Sequence, residues 1–382
     1  MGSMMDLNQK ISKLKNLEGK FSENFNSIFE VDCSTGTMQI PPTFESKICD
    51  YFGEKDENGH LIEDKAKILE RIKNQKIVKI FNKWTNQGAL FNSLRTERPG
   101  MKNKNEQEAR DKLKILIRES ERNCDFCQAS IYTPEDTFGR IEGKHSITAA
   151  NVAKYDAWSS LVIFKNHNPL KFNLIEFSDY LDTGFNWFKK VFQEDESYKF
   201  PFFVWNCLYK AGASQIHGHA QILMSKDYPY ARVEHFKKAS LKYQEQTGRD
   251  YYPDWYQLHS TLGLAFSTGE FQVVASLTPT KEKEIIILST ISPVENQVLK
   301  NIIYKTLRCF IDVMGVQSFN LSISCPAIDQ EDDTPYVINL VDRGSLFRPT
   351  VDMGGMELFG STVVADDPFK IIEILKRYLN SS

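Results

Sequence analysis

Residues 214–221, Ser-Gln-Ile-His-Gly-His-Ala-Gln, set two histidines and a glutamine at alternate positions. Strand side chains alternate between faces, so this spacing points His217, His219 and Gln221 to one side. The run Ala211-Gly212-Ala213-Ser214 leads in, and small residues let backbone approach a ligand closely. Ser214 offers a hydroxyl to an anionic oxygen. A neutral imidazole is a competent nucleophile toward phosphorus, and a fixed amide can donate to the oxygens of the transition state. Spacing alone also fits two plainer roles, a metal-binding His-x-His pair and a satisfied, partly buried histidine.

Two further clusters carry donor chemistry. Cys124 and Cys127 have the separation of a zinc knuckle, and no βαβ unit of the kind that surrounds a redox pair follows them. Four-coordinate zinc needs two more ligands, for which His145, His167, His217, His235 and His259 are the candidates. Arg95 and Arg98 stand three apart before Pro99, and paired guanidiniums clamp phosphate bidentately. A solvated basic turn has the same composition.

Taken together, Asn206, Ser214, His217, His219 and Gln221 resemble the active-site motif of the histidine-triad superfamily, in its transferase branch. That branch holds galactose-1-phosphate uridylyltransferase, ADP-glucose phosphorylase and diadenosine tetraphosphate phosphorylase. The superfamily's hydrolases carry a third histidine where Gln221 stands. The glycine that the branch places shortly after the asparagine is Leu208 here.

The resemblance implies that His219 takes up a nucleoside monophosphate and Gln221 binds its phosphoryl oxygens. Ser214 and Asn206 would bind substrate, with the Arg95/Arg98 element as a phosphate or ribose clamp. Asn151 falls where the branch has an asparagine near base and ribose, although a turn-capping asparagine has the same signature. Cys124, Cys127, His167 and His217 would hold a structural Zn2+, with His145 as the fallback ligand. The partners implied are a nucleotide sugar or dinucleotide, a phosphate-bearing acceptor and, by the branch's habit, a second copy of the chain. A histidine-triad hydrolase and a non-catalytic nucleotide-binding protein are the competing classes.

The elements that must position these groups follow from periodicity. Apolar residues at helical spacing predict a helix over 62–84, while 6–30 reads as a charged amphipathic helix with a loop, 102–122 as a charge-rich solvated helix and 54–64 as a polar surface loop. From residue 160 a pattern occurs twice. Strand 160–164, helix 177–192 and strands 202–206 and 219–223 are followed by strand 284–288, helix 294–314 and strands 319–323 and 336–341. Two such copies predict an α+β fold of duplicated units, a mainly antiparallel sheet with flanking helices, in which each copy needs the other to bury its sheet. The expected division is an N-terminal helical extension (1–84), a first unit with the motif (85–240) and a second, degenerate unit (241–382). The second copy has no His-x-His, which confines the chemistry to the first.

Composition sets the remaining bounds. The 382 residues are 41% apolar and 12% aromatic, ordinary for a folded domain of this size. A net charge of −3 points to neither nucleic acid nor a membrane surface. No apolar stretch has the length of a bilayer span. Seven cysteines without a secretory signal suggest reduced thiols, hence the cytoplasm.

Overall fold

The computed structural model describes residues 7–16, 19–97, 106–329, 334–347 and 353–381. Its strands are β1 (Phe29–Thr37), β2 (Asn74–Asn82), β3 (Gly88–Phe91), β4 (Ser146–Ala150), β5 (Trp158–Phe164), β6 (Phe200–Cys207) and β7 (His219–Ser225). They continue with β8 (Ala265–Thr268), β9 (Phe271–Ala275), β10 (Ile285–Ser289), β11 (Phe319–Ser324), β12 (Tyr336–Asp342) and β13 (Thr362–Val364). Nine of them form one sheet in the order β4-β5-β7-β6-β11-β12-β10-β9-β8. All its pairings are antiparallel. The order is mirrored about the β6–β11 pair: β6, β7 and β5 run outward on one side as β11, β12 and β10 do on the other. This is the α+β, duplicated, mainly antiparallel architecture expected from the repeat.

Each copy covers one sheet face with its own helix. Leu174–Glu194 starts at a capping box, in which Asn173 accepts from the amides of Ile175 and Glu176 while Glu176 accepts from the Asn173 amide. Its apolar stripe, including Phe177, Tyr180, Trp187 and Phe188, is buried. Gln297–Arg308 plays the same part in the second copy and is capped by Asn296. Lys300 on this helix donates to Asp182 on the other at 2.6 Å, tying the two copies together on the helix-covered face.

Period-two burial in β6 and β11 separates the two sheet faces. Phe203, Trp205, Ile222, Leu321 and Leu340 are buried toward the helices. Register puts Gln221 opposite Val204 and Leu161, and Asn320 opposite Asn206. His219, Gln221, Asn206 and Asn320 therefore share the other face.

The N-terminal region differs from expectation. The helix expected over 62–84 ends at Lys73, and 74–82 is β2, paired along its whole length with β1. Past Asn74 the apolar residues fall at alternate positions (Val78, Ile80), which is strand spacing, so the helical pattern of Ile68 and Ile72 stops at Lys73. Together with β3 and the parallel-paired β13, these strands form a separate four-stranded sheet. The expected helix at 102–122 is described over Glu106–Ser120.

Candidate active site and metal cluster

The hairpin between β6 and β7 builds the site. Its first turn is unusual: Leu208, the residue in the place of the branch's glycine, has φ 69° and ψ 174°. Only glycine occupies this region without strain, yet the Leu208 side chain is 1% exposed and its carbonyl accepts from the amides of Ala211 and Ala213. Gly212 follows at φ 93°. At the far end, Gly218 packs so tightly that an added Cβ would lie 2.5 Å from a ring carbon of Phe164. Gly218 is further fixed by its amide, which donates to the His167 carbonyl, and by its own carbonyl, which accepts from Phe164.

His219 is the first residue of β7 and is 5% exposed. Its Nδ1 lies 2.8 Å from the His217 carbonyl oxygen. A carbonyl only accepts, so Nδ1 carries the proton and the lone pair belongs to Nε2, which makes no hydrogen bond among the described residues. Burial holds the ring's pKa below its ordinary value, keeping it neutral, while that carbonyl bond opposes the shift. Phe126 meets the His219 ring edge-on, with centroids 5.3 Å apart, and also flanks His217. Gln221 lies two residues further along the same face of β7 and is half-buried. Ser214 is exposed in the connecting loop.

His217 precedes the strand, and its ring turns toward the cysteines. The ligand atoms of Cys124, Cys127, His167 and His217 all lie within 4.8 Å of one another. The two Nδ1 atoms are 3.1 Å apart, Cys124 Sγ is 3.3 Å from His217 Nδ1, and Cys127 Sγ is 3.4 Å from His167 Nδ1. The outer nitrogens are committed: His217 Nε2 donates to the Phe164 carbonyl at 2.6 Å, and His167 Nε2 faces the Ile117 carbonyl at 3.1 Å and Ser120 Oγ at 2.9 Å. Both inward nitrogens are therefore lone pairs facing each other, able to accept from the two thiols or to ligate a cation. Four ligands at roughly 2.0–2.3 Å from a tetrahedral ion sit roughly 3.3–3.8 Å apart, close to the spacings observed. The cluster could hold a metal ion.

The sequence-predicted residues distribute unevenly. Asn206 sits on the His219 face, and its side-chain oxygen accepts from Asn320 at 2.6 Å; Arg343 in turn donates to Asn320. Asn151 lies at the β4–β5 turn, where its side chain accepts from the Ala153 amide. It is four residues beyond Ile147, which is level with Ile163 and His219, so ~13 Å along the sheet from the histidine. Arg95 stands on a short 3-10 turn after β3, outside the nine-stranded sheet. Arg98 lies outside the described residues. His145 is not part of the metal cluster. His259 is a satisfied core histidine, accepting from the Leu277 amide and donating to the Trp255 carbonyl. Sequence reasoning missed Phe126, Ser120 and Asn320. Only the position of Phe126 between the paired cysteines gave any hint.

Solved structures that share this fold include three of known overlap. ADP-glucose phosphorylase from Arabidopsis thaliana, with bound ADP-glucose, superposes with TM-score 0.56 at 16% identity, covering 77% of this chain and 96% of that one. A uridylyltransferase mutant gives 0.54 at 15% identity, over 68% and 94%. A GalT-like protein from Arabidopsis thaliana gives 0.52 at 16% identity, over 67% and 92%. No family model and no curated protein matches the chain. The chain shares the fold of these structures.

Proposed function

We propose that the chain is a nucleotidyltransferase that acts on a nucleoside diphosphate sugar by double displacement. His219 Nε2 attacks the α-phosphorus, the bond to the sugar 1-phosphate oxygen breaks, and a nucleotidyl-histidine remains. Through this step the Nδ1 proton stays in its bond to the His217 carbonyl, which stabilises the positive ring. An oxygen of the acceptor then attacks the same phosphorus, the P–N bond breaks, and His219 returns neutral. Gln221 donates its amide to the phosphoryl oxygens, Ser214 contacts the distal phosphate, and Asn206 binds substrate beside them. Arg95 and Arg98 clamp phosphate or ribose. A nucleotide laid along β5 and β7 from His219 would bring its base toward Asn151.

The hydrogen bond from His219 Nδ1 to the His217 carbonyl carries this reading, because it leaves Nε2 as the nucleophile. Gln221 in place of a third histidine favours transfer over hydrolysis. The acceptor is a sugar 1-phosphate, as in a uridylyltransferase, or inorganic phosphate, as in an NDP-sugar or dinucleotide phosphorylase.

We assign Cys124, Cys127, His167 and His217 to one structural Zn2+, since all four protein donors are needed to complete the set. When bound, the ion supplies cohesion by locking the Cys loop to the strand that carries His219. The chemistry belongs to residues 85–240. Residues 241–382 serve as the degenerate copy and 1–84 as the N-terminal extension. Incubation with UDP-glucose, ADP-glucose, GDP-mannose or diadenosine tetraphosphate, each with and without phosphate or galactose 1-phosphate, tests the reaction class. Turnover that needs an added acceptor and vanishes in His219→Asn is expected. Equal turnover with water alone would make the protein a hydrolase.

A further inference from the structure

The degenerate copy keeps a cavity where the first copy keeps its site. The hairpins β6–β7 and β11–β12 match in register, and Val204 to Gln221 spans the same number of residues as Ser322 to Asn339. Val204 pairs with Gln221 and Gln221 with Leu161; Ser322 pairs with Asn339 and Asn339 with Ile286. Asn339 is thus the counterpart of Gln221. One step of two residues along each strand makes Val337 the counterpart of His219 and Ser324 that of Asn206. All of Ser322, Ser324, Val337, Asn339 and Ile286 line a cavity of 260 Å³ on the same sheet face as His219.

Its roof is aromatic, from Tyr230 and Phe236 near the start of the helix Ala231–Thr247 and from Tyr252 and Trp255 of the helix Tyr251–Thr261. Glu284, 5% exposed and hydrogen-bonded by Thr280, supplies a carboxyl to the wall, and the exposed Arg232 stands at the rim. Aromatic walls take a planar ring. An amide that donates and accepts reads a base edge, a carboxyl accepts from ribose hydroxyls, and a rim arginine meets a phosphate. With valine at the position that corresponds to His219, the cavity lacks the imidazole of the first copy.

We propose that this cavity is a second, non-catalytic nucleotide site that binds the base and ribose of a nucleoside monophosphate. The ligand class rests on the transferase reading; the site itself rests on the cavity and its register. Equilibrium dialysis of the unmodified chain against labelled AMP, UMP and GMP should reach two equivalents with at least one of them. Ser322→Trp, which fills the cavity, should reach one. Asn339→Leu should weaken the second equivalent by at least about tenfold, the loss of roughly one good hydrogen bond, and leave the first intact. A single equivalent at saturation with all three nucleotides overturns the proposal, as do two equivalents unmoved by either substitution. Failure of His219 to become labelled while the second equivalent persists would remove the transferase reading alone.

Discussion

Three histidines in this chain show how environment divides one residue type among roles. His217 is fixed by the Phe164 carbonyl and turned toward thiols; burial pushes its pKa down to about 4, while the carbonyl bond opposes the shift. His219 is held by a carbonyl from one side only, leaving a nitrogen for chemistry. His259 spends both nitrogens inside the core, and burial likewise lowers it to about 4 from the ordinary 6.5. In the folded state His259 is therefore neutral over a range where the unfolded chain is protonated. Between pH 6.5 and about 4 the unfolded state holds the extra proton, so stability falls as pH falls through that window. The contribution is up to about 3 kcal/mol. Denaturant midpoints should show wild type leading His259→Gln at neutral pH and losing that lead on acidification. A gap independent of pH would mean that His259 titrates in the fold as it does in the unfolded chain.

At the scale of elements, the β6–β7 hairpin concentrates the unusual backbone. Leu208 has a buried side chain and a glycine-like backbone, so two effects oppose each other when it is replaced. Leu208→Ala loses the burial and keeps the strain. Leu208→Gly loses the burial and removes strain of roughly 1–3 kcal/mol. The glycine variant should therefore melt higher than the alanine variant, the reverse of the usual order; equal or lower melting would contradict the strained conformation. The Cys124–Cys127 loop meets the same hairpin through Cys124, Cys127 and Phe126, which contact His217 and, for Phe126, His219. Purified chain should contain one zinc ion, and chelation or Cys124→Ser should release it and lower the melting temperature. Wild-type chain without stoichiometric metal would leave the cluster as packed thiols and imidazoles.

Much of this was legible in the sequence. Strand patterns marked β6, β7, β11 and β12, and the spacing of His217, His219 and the Cys pair singled them out as candidates without fixing their roles. The helix-to-strand change at Asn74 was not legible, because Ile72 satisfies the helical pattern behind it and Val78 the strand pattern ahead. The bond from Asn320 to Asn206 was hidden for another reason: it depends on β11 pairing with β6, a contact between residues over a hundred positions apart.

Over the whole molecule, the mirrored sheet makes the two copies dependent on each other. The central pair β6–β11 buries Trp205 against Phe319, with ring centroids 5.1 Å apart, and the covering helices are joined by Lys300 and Asp182. A chain cut after residue 240 would leave the edge of β6 and this apolar surface open to water. It should bind a hydrophobic dye and lack cooperative melting, whereas the full chain melts in one transition. A soluble, cooperatively melting fragment would show that the first copy stands alone. Among the described residues no helix is long and apolar enough to cross a membrane. The asymmetry that matters is chemical: the pairing pattern is shared, but the position of the proposed nucleophile holds His219 in one copy and Val337 in the other.

That asymmetry is most directly tested by mass spectrometry of the intact chain after incubation with each nucleotide-sugar donor in the absence of acceptor. One nucleoside monophosphate should be added per chain, on the peptide containing His219, and it should be lost in acid and absent from His219→Asn. An adduct on any other residue, or turnover of a donor by His219→Asn at the wild-type rate, would contradict the account.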